Sequence, residues 1–484
     1  MGAALRRIQL GSALSAFGLG FTVPYLYVYV AQVRDLGAGT AGVVLAAFAM
    51  AALAVLPFTG RAIDRRGPLP VLVVASVLAS VGAAALGFAS SVPAAVLSAA
   101  VLGAGTAVMQ PALATMLVWC SSAATRTRAF ATQFFLQNLG LGLGGLVGGQ
   151  LVDVDRPSSF TMLFLIEAVM FVVLGVVVTT VRMPRPASLG GARPADGSAA
   201  KGGGLRALLS HRAMVQLCVL GFVLFFACYG QFESGLAAYG TEAAGIEPST
   251  LGFALAANTA VIVVAQFVVL RLVERRRRSR VIAAVGLIWA FAWIVAGYAG
   301  LGHGSQTMAT AAFITTYALF GLGEAMLSPT VAPLVADLAP ESMVGQYNSA
   351  FALCKQLALA VGPAVGGPMG ASLHGPYIVT FVLFSLGITW LALRLGRRLT
   401  PVQDQPSLAG VPSRVVAVSL PEGGDGAETT TTGSATTGSA TTGSASTGSA
   451  STGSASTGSA ISGSGTTGSG APSVSAPVSA PAAH

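Results

Sequence analysis

The chain has 484 residues, of which 54% are hydrophobic and only 9% are charged, and its formal net charge is +9. Soluble proteins carry roughly a quarter charged residues, and so few charges cannot give a soluble protein of this size a polar surface. The composition therefore excludes an ordinary soluble enzyme and predicts that much of the surface faces lipid.

Twelve apolar segments follow one another along the chain, separated by charged residues and by stretches rich in Gly or Pro. A transmembrane helix needs about 20 apolar residues, so each segment is long enough to span a bilayer. We predict that all of them are helices, because a segment in lipid must satisfy its own backbone hydrogen bonds. The predicted spans are residues 10–30, 38–60, 69–90, 93–120, 129–152, 159–181, 213–238, 249–270, 281–301, 306–336, 346–371 and 376–394.

The distribution of Arg and Lys predicts the orientation, because positively charged loops stay on the cytoplasmic side of a membrane. With the N-terminus inside, the predicted cytoplasmic segments hold nearly all of the 26 Arg and Lys residues, whereas the predicted external loops hold only Arg34 and Arg156. We therefore predict a multi-pass protein of the cytoplasmic membrane with both termini in the cytoplasm. The positive surplus then faces anionic lipid headgroups, which explains the net charge without a nucleic-acid partner.

Composition divides the chain into four parts. Residues 1–182 and 213–400 each contain six predicted spans and are expected to form two six-helix bundles. Between them, residues 183–212 include a stretch rich in Gly, Ala, Pro and Arg, which predicts a cytoplasmic linker. Residues 401–484 are largely Thr, Gly, Ser and Ala, cannot bury a core, and are predicted to be a disordered cytoplasmic tail. We expect the protein to be a monomer.

The two halves repeat each other at an offset of 218 residues, the difference between 103 and 321. Two blocks of residues, in the fourth and tenth spans and in the fifth and eleventh, keep this offset. The first block matches Gly103, Gly105 and Pro111 to Gly321, Gly323 and Pro329, and the second matches Gly144, Gly148 and Gly149 to Gly362, Gly366 and Gly367. A repeat of six spans with the same orientation predicts two bundles related by an axis along the membrane normal, with a cavity between them.

The loop after the second span, residues 60–67, reads Gly-Arg-Ala-Ile-Asp-Arg-Arg-Gly, and a degenerate copy at residues 271–276 follows the eighth span. On these motifs the chain resembles the major facilitator superfamily over roughly residues 5–400. The Pro-Leu-Pro sequence at residues 68–70 replaces basic residues of the family signature. The resemblance implies an all-α integral membrane fold of twelve transmembrane helices in two six-helix bundles.

The resemblance assigns this loop to a conformational switch that would involve Gly60, Asp64, Arg65 and Gly67. Asp64 is expected near the cytoplasmic N-terminus of the eleventh span, where the helix dipole favours an anion. The alternative is that the arginines of the loop act only as a topology signal.

The fifth span has glycines four residues apart, from Gly140 to Gly148. It is similar to the antiporter signature of the drug-exporter branch, with Gly145 in place of a Pro that Pro363 restores in the eleventh span. The resemblance implies gating residues at Gly144, Gly148, Gly149, Gly362, Pro363, Gly366 and Gly367. Close helix packing is an equally good interpretation, because glycines four apart lie on nearly one helix face. Ala99 stands where the family has an Arg, which weakens an assignment of proton coupling to the usual place.

Four ionisable residues lie within the predicted spans, namely Glu167, Glu233, Glu324 and Lys355. A charge at the membrane centre costs on the order of 3 kcal/mol or more, so such residues usually face a cavity or a partner. We take these four, with Tyr25, as candidates for substrate binding or proton coupling. Glu324 and Lys355 could pair at similar depth, or Lys355 could extend to the cytoplasmic surface. Glu167 and Glu233 are expected nearer the outer face, as proton carriers, cation ligands or wet rim residues.

Uncharged polar side chains also occur within the spans. Gln137, Asn138, Asn258 and Gln266 are candidates for hydrogen bonds to a substrate. Contacts between helices explain each of them at least as well.

Motifs of catalytic or metal chemistry fail in this sequence. The match of residues 140–145 to a dinucleotide-binding fingerprint lies within an apolar span with no preceding strand, so we discard it. The four cysteines lack metal-ligand spacing, and the four histidines are scattered. We therefore predict no enzyme activity, catalytic residue, metal or cofactor.

The spans and their repeat predict a secondary active transporter that works by alternating access of two bundles to a central site. The resemblance further implies proton-coupled efflux of drugs or small amphipathic metabolites. Uptake or uniport of a small metabolite is one alternative, and a membrane receptor or scaffold that uses the tail for interactions is another.

Overall fold

The structure is a computed structural model that describes residues 2–22, 25–153, 155–182, 205–232, 234–300 and 305–405. Within these ranges every regular element is a helix and there is no strand. The described residues belong to one unit, Met1–Arg414. Most of the predicted linker and the predicted tail beyond residue 405 lie outside the described residues, so both stay predictions.

Each predicted span overlaps one long helix, and we number these long helices α1 to α12 in chain order. In the N-terminal half they are α1 (Ala3–Thr22), α2 (Gly37–Arg66), α3 (Pro68–Gly87), α4 (Val92–Trp119), α5 (Ala123–Leu151) and α6 (Pro157–Thr179). In the C-terminal half they are α7 (Arg212–Ala227), α8 (Pro248–Val273), α9 (Arg278–Ala299), α10 (Gln306–Leu327), α11 (Val344–Ser372) and α12 (His374–Gly396). Short helices are Leu26–Val28, a π-helix at Tyr29–Val33, Leu205–Ser210, Tyr229–Phe232, Gly235–Glu242, Val331–Leu338, a 3₁₀ turn at Glu341–Met343, and Pro401–Asp404.

Ten helical segments among the described residues are long and apolar enough to cross a membrane, by length and composition. Ten of the twelve long helices belong to these segments, namely α2 to α4, α6 and α7 to α12. The segment that begins with α7 continues to Phe232, and the segment that begins with α10 continues to Leu338. The remaining two, α1 and α5, are less apolar, and each carries two arginines near its start, Arg6 and Arg7 in α1 and Arg126 and Arg128 in α5. The chain is therefore a multi-pass membrane protein, and the number of twelve spans stays a prediction.

The outside of the helices is strongly apolar. Phe58, Leu146 and Val264 are each more than 70% exposed. Such large exposed hydrophobic side chains are unfavourable in water and are expected where helices face lipid.

The buried apolar residues form two main clusters, one in each half of the chain. One draws on residues 5–181 and takes in only Ala336 and Val344 from the second half. The other draws on residues 208–399 and is rich in aromatic side chains such as Trp293. Each half is thus a helical bundle with its own core.

The glycines of the internal repeat make equivalent contacts in the two bundles. Gly103 brings α4 against the backbone of α2 at Phe48, and Gly321 brings α10 against the backbone of α8 at Asn258. The next glycines repeat this correspondence, with Gly105 against Ala79 of α3 and Gly323 against Trp289 of α9. A side chain at any of these positions would overlap the neighbouring helix, so the sequence repeat reflects one packing scheme used twice.

The seventh and tenth spans are not continuous helices. The seventh consists of α7 followed by Tyr229–Phe232 and Gly235–Glu242. The tenth consists of α10 followed by Val331–Leu338, with Pro329 in the break between them. Proline lacks a backbone N–H and interrupts a helix. Transporters place binding sites at such broken helices, because free backbone groups there can contact a ligand.

The predicted disordered tail begins a few residues too early. Pro401–Asp404 is a short helix whose start is closed by a capping box between Thr400 and Gln403. The buried Asp404 carboxylate accepts hydrogen bonds from the Ser279 backbone amide at 2.8 Å and hydroxyl at 3.0 Å. A negative charge at the N-terminus of α9 is favourable. Residues 401–405 are therefore fixed by a tertiary contact that composition does not reveal.

Candidate functional site

Glu324 lies in the interior of the C-terminal bundle, in the last turn of α10, and is only 3% exposed. The Asn258 side chain, from α8, donates a hydrogen bond to Glu324 Oε1 at 2.8 Å and another to the Tyr317 carbonyl oxygen at 3.2 Å. Tyr229, at the break in the seventh span, lies close enough to the carboxyl group to interact with it. Side chains from two other spans thus lie beside the carboxyl group.

Lys355 lies on α11, in the same bundle and half-buried. Its Nζ atom is 5.0 Å from the centre of the Phe225 ring, a cation–π contact. It is close enough to Glu324 for the two charges to interact, but the ion pairs of the described residues do not include a direct contact between them. The structure therefore places Glu324 against Asn258 and Tyr229 instead of in the pair that the sequence suggested.

Glu167 and Tyr25 do not join this group. Glu167 is fully buried on α6, where Gly18 of α1 packs against its backbone, so it is not a wet rim residue. The Tyr25 hydroxyl donates to the Gly145 carbonyl oxygen at 2.9 Å, which is a contact between helices of the N-terminal bundle. Glu233 lies outside the described residues.

Among the uncharged candidates, two make hydrogen bonds within the N-terminal bundle and one has no hydrogen-bond partner in the described residues. Gln137 donates to the Ser12 hydroxyl at 3.0 Å, and Asn138 donates to the Phe134 carbonyl oxygen of its own helix at 2.9 Å. Gln266 on α8 is different, because it is 3% exposed and neither atom of its amide has a partner in the described part of the chain. A buried amide without partners is unusual and marks a place where a polar ligand group would be stabilised.

The glycines of the fifth and eleventh spans contact helices of their own bundle. A Cβ atom at Gly144 would overlap the Phe17 carbonyl group of α1, and one at Gly362 would lie 2.6 Å from the Gly230 Cα. Pro363 lies inside α11 without ending it. Gly148, Gly149 and Gly366 closely contact Phe21, Tyr25 and Gln231, respectively, whereas Gly367 has open space around it. The observed contacts are those of close helix packing, and a part in gating stays a prediction.

Replacing Gly144 with alanine is expected to lower the free energy of unfolding by about 1–3 kcal/mol, because the added methyl group overlaps the backbone of α1. The matched control is Gly145→Ala, since the nearest atom to a Cβ there would be the Gly20 carbonyl oxygen at 3.8 Å. The control should keep or slightly raise stability, because alanine favours a helix over glycine by about 1 kcal/mol. Thermal unfolding in detergent measures both, and equal losses would contradict the packing argument.

Asp64, near the end of α2, lies at the N-terminus of α11, where the sequence predicts it. Its carboxylate accepts hydrogen bonds from the backbone N–H of Gly345 at 2.7 Å and of Gln346 at 3.1 Å, and from the Gln346 side chain at 3.0 Å. The first N–H groups of a helix lack partners within the helix and attract an anion. Gly60 permits this approach, because a Cβ atom there would be 2.5 Å from the Gln346 Cα. Asp64 thus ties the N-terminal bundle to the C-terminal bundle.

The other two residues of the predicted switch lie beside this contact. Arg65 is exposed to solvent. Gly67 has a φ of +86° and forms the turn between α2 and α3. A positive φ of this kind favours glycine, so Gly67 has a structural reason to be there whatever its part in switching.

A second connection between the bundles forms around Asp337, in the short helix Val331–Leu338. Its carboxylate binds Arg126 from the start of α5 and Arg278 from the start of α9, the latter at 2.6 Å. Arg278 is only 2% exposed and also donates to the Thr127 hydroxyl at 3.3 Å. One carboxylate therefore joins two arginines, one from each bundle.

These contacts all lie at one end of the molecule, where α2 and α8 end and α5 and α11 begin. By the predicted orientation this is the cytoplasmic end. A more exposed ion pair, Arg128 with Glu274 at 3.2 Å, lies at the same end. Together these hydrogen bonds and ion pairs join the two bundles at this end.

Two repeated bundles that meet at one end and a buried carboxyl group are features of secondary transporters. A sequence model of the Major Facilitator Superfamily matches residues 8–363 and, in a second match, residues 241–420. The chain belongs to the major facilitator superfamily. It is a membrane transporter of that family, and the resemblance first indicated by residues 60–67 is confirmed.

Relatives within the superfamily include a transporter named for drug resistance. The multidrug resistance protein MdtH of Aeromonas salmonicida is 24% identical over 413 residues, which cover 84% of this chain and 96% of MdtH. The uncharacterized MFS-type transporter YttB of Bacillus subtilis is 23% identical over 372 residues, which cover 75% of this chain and 87% of YttB.

A solved structure supports the major facilitator fold. A bacterial homologue of the iron transporter ferroportin, in the outward-facing state, matches with a TM-score of 0.66 and 15% identity. The match covers 82% of this chain and 99% of that protein. At this level of identity the likeness concerns the fold alone.

Sequence reasoning missed three residues of this major facilitator protein. Asp337 had a weak signal, since it is an acid close to the end of the tenth span, where the predicted cytoplasmic segments are dominated by arginine. Arg278 is one of several arginines in the loop after α8, and no local pattern distinguishes it from its neighbours. Tyr229 lies beside Glu324 at the break in the seventh span, which no local sequence pattern predicted.

Proposed function

We propose that this transporter is a proton-coupled exporter of drugs or small amphipathic metabolites and works by alternating access. The observation on which this rests is the buried Glu324 carboxyl group, bonded to Asn258 and close to Lys355. The name of MdtH, a multidrug resistance protein, supports the choice of substrate class. The proposal includes a monomer in the cytoplasmic membrane with both termini in the cytoplasm.

The charge of Glu324 is the basis of the proposed coupling. An ionised carboxylate attracts a cationic or hydrogen-bond-donating substrate, and inside a membrane it is costly without partners. Protonation neutralises the group, turns one of its oxygens into a donor and removes that attraction. Proton and substrate therefore compete for the same group, which is what exchange in opposite directions requires. Lys355 is the adjacent positive charge that responds to the change.

We include Gln266 with Asn258 as contacts for polar groups of the substrate, because both lie buried on α8 and the Gln266 amide lacks partners in the described residues. Switching would separate Asp64 from α11 and Asp337 from Arg126. Gly60, Arg65 and Gly67 belong to the moving region in this proposal, as do the glycines of α5 and α11. Glu167, Glu233 and Tyr25 stay predicted candidates for coupling or binding.

Replacing Glu324 with glutamine is expected to reduce transport driven by a pH gradient on the order of 10-fold or more, because glutamine has no ionisable proton and the coupling free energy is lost. The full chain is reconstituted in vesicles, and efflux of ethidium, a lipophilic cation, is followed with and without an imposed pH gradient. Glu242→Gln is the control, since Glu242 is an exposed acid at the end of a short helix.

The two variants separate the possible functions. Loss of gradient-driven flux in Glu324→Gln, with normal flux in Glu242→Gln, supports the proposal. Flux that is the same with and without the gradient in the unaltered protein indicates uniport. Unchanged coupling in Glu324→Gln refutes the assigned role of the carboxyl group.

A further inference from the structure

A groove of about 270 Å³ opens between α7 and α12, beside the short helix Leu205–Ser210. Three arginines line it, namely Arg212 at the start of α7, Arg394 in the last turn of α12 and Arg398 just after that helix. The rest of the lining is mainly apolar and includes Val219. Val219 lies seven residues beyond Arg212, or about 10 Å along the helix axis. The groove therefore runs from a positively charged mouth into the apolar part of the bundle.

The arginines are available to a ligand. All three are exposed, and the ion pairs found in the described ranges do not include any of them. The Arg394 guanidinium stacks on Trp390, 5.1 Å from the ring centre, and Trp390 is 57% exposed on the outside of α12. An exposed Trp beside Arg is typical of the level of the lipid headgroups. The mouth of the groove thus lies where a lipid phosphate would be.

Gln216 gives the groove a second polar feature. Its side chain lines the groove and is 92% buried, with an exposed fraction of 8%. Its Nε2 atom donates to the Leu391 carbonyl oxygen at 3.1 Å, and its Oε1 atom has no hydrogen-bond partner within the described residues. The arginine side chains carry only hydrogen-bond donors and therefore suit a ligand with acceptors, such as a phosphate. Gln216 Oε1 is an acceptor, and it needs a hydrogen-bond donor. A buried acceptor of this kind is stabilised by a hydroxyl group of a ligand.

We propose that the groove binds an anionic glycerophospholipid with a hydroxyl-bearing headgroup, of which phosphatidylglycerol is the simplest. Guanidinium groups suit a phosphate because their fork of N–H donors matches its oxygens. The headgroup hydroxyl would donate to Gln216 Oε1, and an acyl chain would lie along Val215 and Val219. A neutral phosphatidylcholine fits less well, because it has no net negative charge and its headgroup has no hydroxyl donor.

The proposed lipid would connect three parts of the C-terminal bundle. It contacts the start of α7, the end of α12 and the helix Leu205–Ser210, through Leu209. That helix directly precedes α7, and the described part of the chain resumes with it after residue 182. A bound lipid would therefore stabilise the attachment of this helix, whether or not the protein exports drugs.

The test uses native mass spectrometry of the full chain in detergent with phosphatidylglycerol or phosphatidylcholine added. The variant combines Arg212→Gln, Arg394→Gln and Arg398→Gln. The control combines Arg276→Gln, Arg277→Gln and Arg397→Gln, three exposed arginines that do not line the groove, and so makes the same change in net charge.

The unaltered protein is expected to retain phosphatidylglycerol in preference to phosphatidylcholine. The groove variant should lose phosphatidylglycerol on the order of 100-fold, at about 5-fold per arginine, while the control changes by only a few fold. A second variant, Gln216→Leu, keeps the arginines and should reduce the preference for phosphatidylglycerol over phosphatidylcholine.

Three results would overturn the proposal. One is equal loss in the groove variant and the control, which would show general attraction to a basic surface. Another is equal retention of the two lipids by the unaltered protein. The third is displacement of phosphatidylglycerol by inorganic phosphate at the same concentration, which would indicate a site for the free anion. Thermal unfolding of each variant verifies that it is folded.

Discussion

Replacing Asp337 with asparagine is expected to lower the free energy of unfolding by about 3–5 kcal/mol, because it leaves two arginines close together without their shared anion. Arg278 is 2% exposed, so water cannot replace the lost carboxylate there. Asparagine has nearly the same shape, and the loss therefore reports charge and not packing. Thermal or denaturant unfolding of the purified protein measures the change.

The control for this prediction is Asp153→Asn. Asp153 pairs with Arg156, but that pair is exposed, with 41% and 76% of the two side chains accessible. Exposed pairs contribute about 0–1 kcal/mol, so the control should change little. Adding Arg126→Gln to Asp337→Asn should recover part of the lost stability, because one uncompensated charge is removed. A small effect of Asp337→Asn, equal to that of the control, would show that the buried ion pairs do not hold the bundles together.

Replacing Gly60 with valine is expected to disfavour the closed gate by about 1–3 kcal/mol, which is roughly 5- to 150-fold in its population. The reason is that a Cβ atom at this position would be 2.5 Å from the Gln346 Cα, so α2 and α11 could not keep their separation. Transport should fall by a comparable factor, because each cycle must close this end. Flux in reconstituted vesicles measures the loss.

Accessibility gives a second measurement of the same change. Thr115 on α4 is fully buried and accepts a hydrogen bond from Asn348 of α11 at 3.3 Å, so it lies at the contact between the bundles. In a protein without its four native cysteines, Thr115→Cys should react faster with a maleimide when Gly60→Val is present. The control is Gly42→Val on the same helix, where a Cβ atom meets nothing within 4 Å. Equal labelling in the Gly60 and Gly42 variants would refute a role of Gly60 in closure.

The helix α11 connects the gate to the interior site. Its first residues, Gly345 and Gln346, bind Asp64, and Lys355 follows nine residues after Gln346, or about 13 Å along the helix axis. Movement of this one rigid element would therefore shift Lys355 relative to Glu324 as the gate opens. In the proposed mechanism, this helix would connect the charge state of Glu324 with the closure of the bundles.

Several features of the site could be predicted from sequence because placing an ionisable group inside a membrane costs free energy. An ionisable group inside a membrane is expensive, so Glu324 and Lys355 were recognisable as unusual before any contact was known. Asp64 was placed at the N-terminus of α11 through a family motif and the helix dipole. By contrast, the direct pair of Glu324 with Lys355 was not found, because Asn258 and Tyr229 occupy positions around the carboxyl group that only the helix crossings determine.

By itself the sequence determined the helical class, the approximate spans and the repeat, since these follow from local hydrophobicity and from glycines that must lie at helix contacts. Tertiary structure alone decided which polar groups meet: Asp337 joins arginines from two bundles, Asp404 docks on α9, and Gln216 faces a basic groove. The reason is that the insertion of a helix into lipid depends on the hydrophobicity of that one segment. A hydrogen bond or ion pair instead depends on the distance between residues that are remote in the chain.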